Sequence, residues 1–209
     1  MGIENVIFDF GGVLVDWNPV YLFEDYFKTE SEMDYFLQHI CSAEWNLEQD
    51  RGRSLAEGTE MLQNQFPEFH SLIELYYSKW ERMLKSDIPG TVSILYNLKE
   101  KFNLYGLTNW SAETITIAYE KFPFFKEFSG IVVSGTEKMV KPDPRIYHLL
   151  LDRYNIKAAN TIFIDDNISN IEAAREIGLQ VIHFENPVQL KSELSTILGR
   201  EISKTTMYL

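Results

Sequence analysis

The sequence predicts an α/β protein, with a doubly wound, Rossmann-like parallel sheet and an inserted α-helical cap. Short apolar runs alternate with helical patterns along most of the chain, and one long segment near the N-terminus interrupts that alternation. Strands that alternate with helices favour a parallel sheet joined by right-handed crossovers. The predicted division is therefore a core domain from residues 1–16 and 87–209 and a helical cap domain from residues 17–86.

Five short apolar runs are predicted to be the buried strands of the sheet. They are too short for helices, and turn-like or polar residues follow them. Helical spacing of apolar residues separates them, as at Val92, Leu95 and Leu98, or at Ile168, Ile171 and Ala174. The predicted strands cover residues 6–8, 104–107, 131–133, 161–164 and 181–184.

Residues 17–85 carry helical patterns and no convincing strand, which is why they are assigned to a cap. One part of this segment has apolar and amphipathic residues at helical spacing over more than three turns. It predicts a single long amphipathic helix through Leu72, Leu75, Tyr76, Lys79, Trp80 and Met83.

Composition excludes several classes of protein. The 209 residues carry a formal net charge of −12 without a dense lysine and arginine cluster, which argues against nucleic-acid binding. No apolar run approaches the roughly 20 residues of a membrane helix, and no signal-peptide pattern is present. Cys41 is the only cysteine, so a cytoplasmic protein is expected. No pattern predicts the oligomeric state or the structure of the tail from Glu201 onwards.

Polar residues follow four of the predicted strands, where an open parallel sheet binds its ligands. The first strand leads into Asp-Phe-Gly-Gly-Val-Leu at residues 9–14, and the second into Thr-Asn at residues 108–109. The loop after the third contains Lys-Pro-Asp-Pro at residues 141–144, and the fourth leads into Asp-Asp-Asn at residues 165–167. We expect these groups to converge at one edge of the sheet.

The acids in this set predict a magnesium site. Asp9, Asp165 and Asp166 offer hard oxygen ligands of the kind that Mg²⁺ prefers, and Mg²⁺ also takes a phosphate oxygen from a substrate. Three such carboxylates would repel one another strongly without a cation. The predicted cofactor is therefore Mg²⁺.

The remaining residues predict a phosphate site beside the metal. Thr108, Asn109 and nearby backbone N–H groups can hold phosphate oxygens, and Lys141 adds a positive charge. The glycines at positions 11 and 12 let the backbone approach a ligand closely. The predicted substrate contacts are Gly12, Thr108, Asn109 and Lys141, and the predicted partner is a small phosphorylated metabolite.

Taken in order along the chain, these four motifs resemble those of the haloacid dehalogenase-like hydrolase superfamily. The resemblance covers essentially the whole chain, and the helical insert between the first two motifs looks like the small α-helical cap of that family. It implies a phosphatase that forms an aspartyl-phosphate on Asp9, with Thr108 and Lys141 orienting and neutralising the phosphoryl group. The metal ligands that it implies are Asp9, the Gly11 carbonyl and Asp166, with Asp165 bound directly or through water.

Gly11 departs from the family pattern. Phosphatases of this superfamily usually carry an aspartate there as general acid and base, and the loss of a positioned acid typically lowers the rate by ~10²–10⁴. An anomeric sugar oxygen leaves more easily than a plain alcohol, so a sugar 1-phosphate is the expected substrate. The sequence also resembles a branch of bacterial α-glucose-1-phosphate phosphatases with glycine at this position. Asp50 or Glu48 in the cap could supply a proton, although no pattern places either of them.

Other functions remain open at this stage. A 2-haloacid dehalogenase would have no use for the acidic pair Asp165 and Asp166, and a phosphomutase needs the acid that Gly11 lacks. A degraded family member that binds a phosphometabolite without turnover is supported by Gly11, but the other motif residues argue against it. A protein kinase is excluded, because the Asp-Phe-Gly tripeptide at Asp9 has no room upstream for the other kinase motifs.

Overall fold

The structure is a computed structural model that describes residues 2–202, so the tail beyond Ile202 lies outside the described residues. A five-stranded parallel sheet has the order β5-β4-β1-β6-β7, and β2 and β3 form a separate antiparallel pair. The strands are β1 (Asn5–Phe8), β2 (Val15–Trp17), β3 (Leu84–Asp87), β4 (Asn103–Thr108), β5 (Gly130–Val133), β6 (Thr161–Asp165) and β7 (Gln180–His183).

The α-helices of the described residues follow the predicted alternation. Between β2 and β3 lie α1 (Val20–Phe23), α2 (Glu30–His39), α3 (Ala43–Asp50), α4 (Leu55–Gln65) and α5 (His70–Ser78). The helices after β3 are α6 (Pro89–Leu98), α7 (Ile115–Lys121), α8 (Ser134–Glu137), α9 (Pro144–Arg153), α10 (Ile168–Glu176) and α11 (Pro187–Leu198).

The sheet is buried on both faces because its strands alternate between two apolar clusters. In β1, Val6 and Phe8 pack with α6, α7 and α11, whereas Ile7 packs on the opposite side with α9 and α10. A strand with successive side chains on opposite faces needs helices on both faces to exclude water. The doubly wound α/β fold and all five predicted strands of the sheet are confirmed.

The helices between β2 and β3 bury aromatic side chains that continue the apolar cluster on one face of the sheet. Phe23, Phe36 and Tyr76 are fully buried, and the Phe23 and Phe36 ring centroids lie 4.9 Å apart. Side-chain oxygens of Thr29, Ser42 and Ser54 cap the N-termini of α2, α3 and α4. These helices therefore have the composition expected of a cap, while the division of the chain into two domains stays a prediction.

Two details of this region differ from the expectation. The predicted helix through residues 72–83 is wrong as a single element: α5 ends at Ser78, and a separate 3₁₀ helix covers Trp80–Met83. The expected absence of a strand is also wrong, because Leu84–Asp87 forms β3 and pairs with β2. The first and last segments of the predicted cap thus meet in one antiparallel ladder. No helix of the described residues is long and apolar enough to cross a membrane.

Candidate active site

The strand register brings the first and fourth motifs together. Phe8 at the end of β1 pairs with Ile164 in β6, and the backbone N–H of Asp9 donates to the Ile164 carbonyl at 2.9 Å. Asp9 and Asp165 therefore leave the sheet side by side. Because the strands are parallel, both lie at the carboxyl edge, where open α/β sheets bind ligands.

Three carboxylates form a tight acidic group at this edge. Asp9, Asp165 and Asp166 each place one carboxylate oxygen so that the three oxygens lie within 4.8 Å of one another. Asp9 and Asp165 are buried, while Asp166 is exposed. The group is positioned to bind a metal ion, and its oxygen donors fit a hard divalent cation.

Lys141 is the buried cation of the site. Its Nζ lies 2.9 Å from Asp9 Oδ1 and 2.6 Å from Asp165 Oδ2, and it also donates to the Leu107 carbonyl at 2.9 Å. The ammonium group has three protons, and these three acceptors match them in number. Lys141 thus joins the two buried acids of the group to the end of β4.

Asn109 holds the backbone that carries this lysine. The Asn109 side chain accepts from the Lys141 N–H at 2.8 Å and donates to the Lys141 carbonyl at 3.0 Å. Such a reciprocal pair fixes the loop after β5 against the end of β4. The sequence predicted a substrate contact for Asn109, and the structure gives its amide a positioning contact.

Asp165 is held on both of its oxygens. Oδ1 accepts from the Asn167 N–H at 2.8 Å and from Asn170 Nδ2 at 3.0 Å, while Oδ2 accepts from Lys141 Nζ. Asn170 escaped sequence reasoning, because one polar residue in the first turn of a helix carries no distinguishing pattern. Asn167 caps α10 by accepting from the Ser169 N–H. With its oxygens so occupied, Asp165 orients Lys141, and Asp166 is the more accessible acid.

Burial and mutual repulsion govern the ionisation of the site. Burial raises the pKa of Asp9 to about 7; the nearby Lys141 ammonium opposes that rise, and Asp165 adds to it. Burial also raises the pKa of Asp166, and again Asp165 adds to the rise. Burial disfavours the charged form of Lys141, but the two carboxylates outweigh it and raise its pKa. One lysine therefore leaves the acids short of positive charge, which a bound cation would supply.

The loop after β1 is shaped to carry Asp9. Phe10 is fully buried against Phe125 and Phe128, and its backbone N–H donates to Asp9 Oδ1 at 2.7 Å. Gly12 has a φ of +74°, and a Cβ at this position would collide with the Asp166 carboxylate. A glycine is needed at this turn both for its conformation and for the close approach of the acid.

Thr108 and Gly11 complete the predicted set. Thr108 is the last residue of β4 and is buried, one position before Asn109. Gly11 forms an isolated β-bridge with Val15, which fixes its backbone in the loop that follows Asp9. The six predicted positions from the first and fourth motifs and from Thr108 thus lie at strand ends or on the loops that follow them, at the same edge of the sheet.

A cavity of about 70 Å³ is lined by Gly11, two residues after Asp9, and by Asn109, whose amide holds the Lys141 backbone. Its core wall is formed by Gly11, Asn109, Trp110, Ser111 and Thr114. The opposite wall comes from β2 and from the segment between β2 and β3, through Trp17, Asn46, Asp50, Tyr77 and Trp80. Sequence reasoning did not place most of these residues, because they come from separate elements and share no spacing.

The structure is an α/β fold with an acidic group at the edge where such folds bind ligands. The chain belongs to the haloacid dehalogenase-like hydrolases, since the model of that family matches residues 6–184. The resemblance that the sequence motifs indicated is therefore confirmed.

Relatives agree with this membership, and a solved structure shares the fold. The sesquiterpene phosphatase astK of Aspergillus oryzae is 30% identical, with 92% of this chain and 95% of that protein covered. A phosphorylated carbohydrates phosphatase of Thermotoga maritima is 26% identical over 87% of this chain and 84% of its own length. A family enzyme of Bacteroides thetaiotaomicron, solved with magnesium and inorganic phosphate, has a TM-score of 0.72 at 23% identity, covering 88% of this chain and 95% of that chain.

Proposed function

We propose that this hydrolase is a magnesium-dependent phosphatase that acts on a small phosphorylated metabolite through a phosphoryl group on Asp9. The observation that carries the proposal is the convergence of three carboxylates and one buried lysine at the carboxyl edge of the sheet. Two relatives named as phosphatases support it, because their similarity to this chain extends over most of the length of both proteins.

The proposed nucleophile is Asp9. Its Oδ1 is held by the Phe10 N–H and by Lys141, whereas no hydrogen bond of the described residues occupies Oδ2. An oriented carboxylate with one available oxygen suits in-line attack on phosphorus. In the proposed reaction the bond from phosphorus to the leaving oxygen breaks as the bond to Asp9 forms, and water then releases phosphate from Asp9.

The proposed metal ligands are Asp9, the Gly11 carbonyl and Asp166, with Asp165 acting through Lys141 or through water. The oxygen donors fit Mg²⁺, which when bound would neutralise charge between the phosphate and the nucleophile. Thr108 and Lys141 are proposed to hold the phosphoryl oxygens, with backbone N–H groups around Gly12 and Asn109 nearby. Lys141 is already charged and is fixed by Asp165 and the Leu107 carbonyl, and a phosphoryl oxygen would take the place of Asp9 Oδ1 as its third acceptor.

A sugar 1-phosphate is the proposed substrate. Gly11 carries no proton donor, and an anomeric oxygen tolerates that absence better than a plain alcohol. The residue types around the cavity support the choice, because indole and phenol rings can cover the C–H face of a sugar while Asn46 and Ser111 offer polar contacts. Trp17 lines the same cavity, and its buried indole N–H has no partner in the described part of the chain, so it is free to donate to a hydroxyl.

A screen of phosphorylated metabolites with and without Mg²⁺ tests the proposal. We expect phosphate release that requires Mg²⁺, and loss of at least ~10³-fold in kcat for Asp9→Asn. Asp34→Asn, an exposed carboxylate on α2, is the matched control and should keep wild-type activity. Faster turnover of sugar 6-phosphates or of an isoprenyl phosphate than of sugar 1-phosphates would reject the substrate class. Metal-independent chloride release from 2-chloropropionate would instead support a dehalogenase.

A further inference from the structure

The loop after β1 leaves open the position where a proton donor is expected. A Cβ built on Gly11 meets no atom within 4 Å outside its immediate neighbours, and Gly11, two residues after Asp9, lines the cavity. The space for an acid therefore exists, but this chain places none there from the core. Any group that protonates a leaving oxygen has to reach the cavity from another wall.

Asp50 is the carboxyl group on the opposite wall of that cavity. It is the last residue of α3 and lines the cavity together with Gly11 and Asn109. Glu48, the other acid considered from the sequence, is exposed and pairs with Arg51 at 3.4 Å, and it does not line the cavity. The structure thus separates two acids that the sequence left equivalent.

Asp50 is held in place by the core as well as by its own helix. Asn46 Nδ2 donates to Asp50 Oδ2 at 3.0 Å, and the backbone N–H of Ser111 donates to the Asp50 carboxylate. The buried Ser134 hydroxyl donates to the Asp50 carbonyl at 2.5 Å. Two donors leave part of the lone-pair capacity of a carboxyl group unused, so there is room for a proton.

The surroundings favour the protonated form of Asp50. Burial raises its pKa to about 7, and the Ser111 N–H opposes that rise. The C-terminal end of α3 also disfavours a negative charge. Among the groups around it, the phenols of the buried Tyr76 and the half-buried Tyr77 have raised pKa values and stay neutral. Lys138, whose side chain passes Gly52, is exposed.

We propose that Asp50 is the catalytic acid and base of this enzyme, reaching over the site in place of the side chain that Gly11 lacks. This inference rests on the phosphatase function proposed above. As Asp9 attacks phosphorus, the bond to the leaving oxygen breaks and that oxygen takes the proton of Asp50. The Asp50 carboxylate then takes a proton from the water that attacks phosphorus, and the electron pair of the breaking bond returns to Asp9.

The assignment changes what Gly11 implies about the substrate. With a proton available from Asp50, an acidic leaving group is no longer required. Preference for a sugar 1-phosphate would then depend only on contacts within the cavity, and the metabolite screen decides it independently of Asp50.

Two aryl phosphates of similar shape test the role of Asp50. Nitrophenolate leaves p-nitrophenyl phosphate without a proton, whereas phenyl phosphate has a poorer leaving group that benefits from one. The measured quantity is kcat/KM with Mg²⁺, because it reports the steps up to formation of the phosphoryl-enzyme and is not affected by its hydrolysis. Asp50→Asn is expected to lower kcat/KM for phenyl phosphate by ~10²-fold or more and for p-nitrophenyl phosphate by less than ~10-fold.

The matched control is Glu48→Gln, two residues away on the same helix, which should change neither value. Gly11→Asp added to Asp50→Asn should restore phenyl phosphate turnover selectively, because nothing obstructs a side chain there and the φ of Gly11 is not positive. An equal loss on both substrates would show that Asp50 only fixes α3 to the core and would overturn the proposal. The proposal would also be overturned if Asp50→Asn turned over phenyl phosphate with the kcat/KM of the wild-type enzyme.

The wild-type enzyme provides a second test, which does not depend on whether a variant folds. The ratio of kcat/KM for phenyl to p-nitrophenyl phosphate should fall as pH rises through about 7, since the acid loses its proton there. A ratio that stays constant as pH crosses this value would overturn the assignment. Absence of Mg²⁺-dependent turnover on either substrate, by contrast, would count against the phosphatase function itself.

Discussion

At the scale of single residues, Lys141 shows most clearly how the site is built. It is a buried ammonium group with two carboxylates and one carbonyl as its partners. The sequence predicted a functional lysine here from its motif. It could not predict the pairing with both acids, because that pairing depends on the register of β1 with β6 and on the amide of Asn109.

Lys141→Met is expected to destabilise the metal-free protein strongly. Removing one partner of a buried ion pair leaves uncompensated charge and typically costs about 3–5 kcal/mol. Urea unfolding in EDTA measures the change, and Lys157→Met, at an exposed position, is the control. A loss below about 1 kcal/mol would mean that Lys141 does not offset the charge of Asp9 and Asp165.

Gly12 makes a second prediction at this scale. Gly12→Ala places a Cβ against the Asp166 carboxylate at a positive φ, and Gly199→Ala meets the same kind of φ with open space around it. Both should lose about 1–3 kcal/mol of stability from the backbone conformation. Only Gly12→Ala should weaken Mg²⁺ binding in calorimetry, since only there is a proposed ligand displaced. Equal Mg²⁺ affinities would contradict the proposed role of Asp166.

At the scale of elements, the strands of the sheet were predictable and the segments beside the cavity were not. Buried parallel strands read as short apolar runs, whereas β3 contains one buried residue, Leu84, and is held through backbone pairing. The predicted helix over residues 72–83 ends early because Trp80 packs on Trp110 and Met83 is buried. These tertiary contacts outweigh a local helical period that continues through Lys79.

Ser134, at the start of α8, links this region to the core. Its buried hydroxyl donates to the Asp50 carbonyl and accepts from the Trp110 N–H at 2.9 Å. Ser134→Ala leaves both backbone groups without that partner, so a loss of about 1–3 kcal/mol in stability is expected. Thermal unfolding measures it, with Ser78→Ala on the exposed end of α5 as control. An unchanged midpoint for Ser134→Ala would mean that these contacts do not hold α3 to α8.

The end of α3 predicts a pH dependence of stability. Burial raises the pKa of Asp50 from its ordinary value of 3.8 to about 7 in the folded protein. At pH values between these two, the folded state therefore binds more protons than the unfolded state. Wild-type stability should therefore fall as pH rises through this window, and Asp50→Asn should not share that part of the loss. The stability of the variant relative to the wild type should therefore be greater above this window than below it. Each tenfold difference in proton affinity between the folded and unfolded states contributes about 1.4 kcal/mol to that change. A stability difference between the two proteins that does not vary with pH in urea unfolding would contradict the raised pKa.

At the scale of the whole molecule, the proposed function depends on strand ends and loops that the fold gathers at one edge. The convergence was predictable from the rule that parallel strands share a carboxyl edge, which placed Asp9, Thr108 and the pair at residues 165–166 correctly. The cavity was not predictable, because one wall comes from the loops of the core and the other from β2 and the segment between β2 and β3. In the proposed function, those walls would select the substrate.

The central claim is that Asp9, Asp165 and Asp166 form one metal site beside the phosphoryl position. A crystal structure of the wild-type protein with Mg²⁺ and a phosphate mimic tests it most directly. The claim predicts a cation bound to Asp9, Asp166 and the Gly11 carbonyl, with the mimic between Asp9 and Lys141. A structure in which Mg²⁺ and the mimic bind elsewhere, with this group of acids still joined only by Lys141, would contradict it.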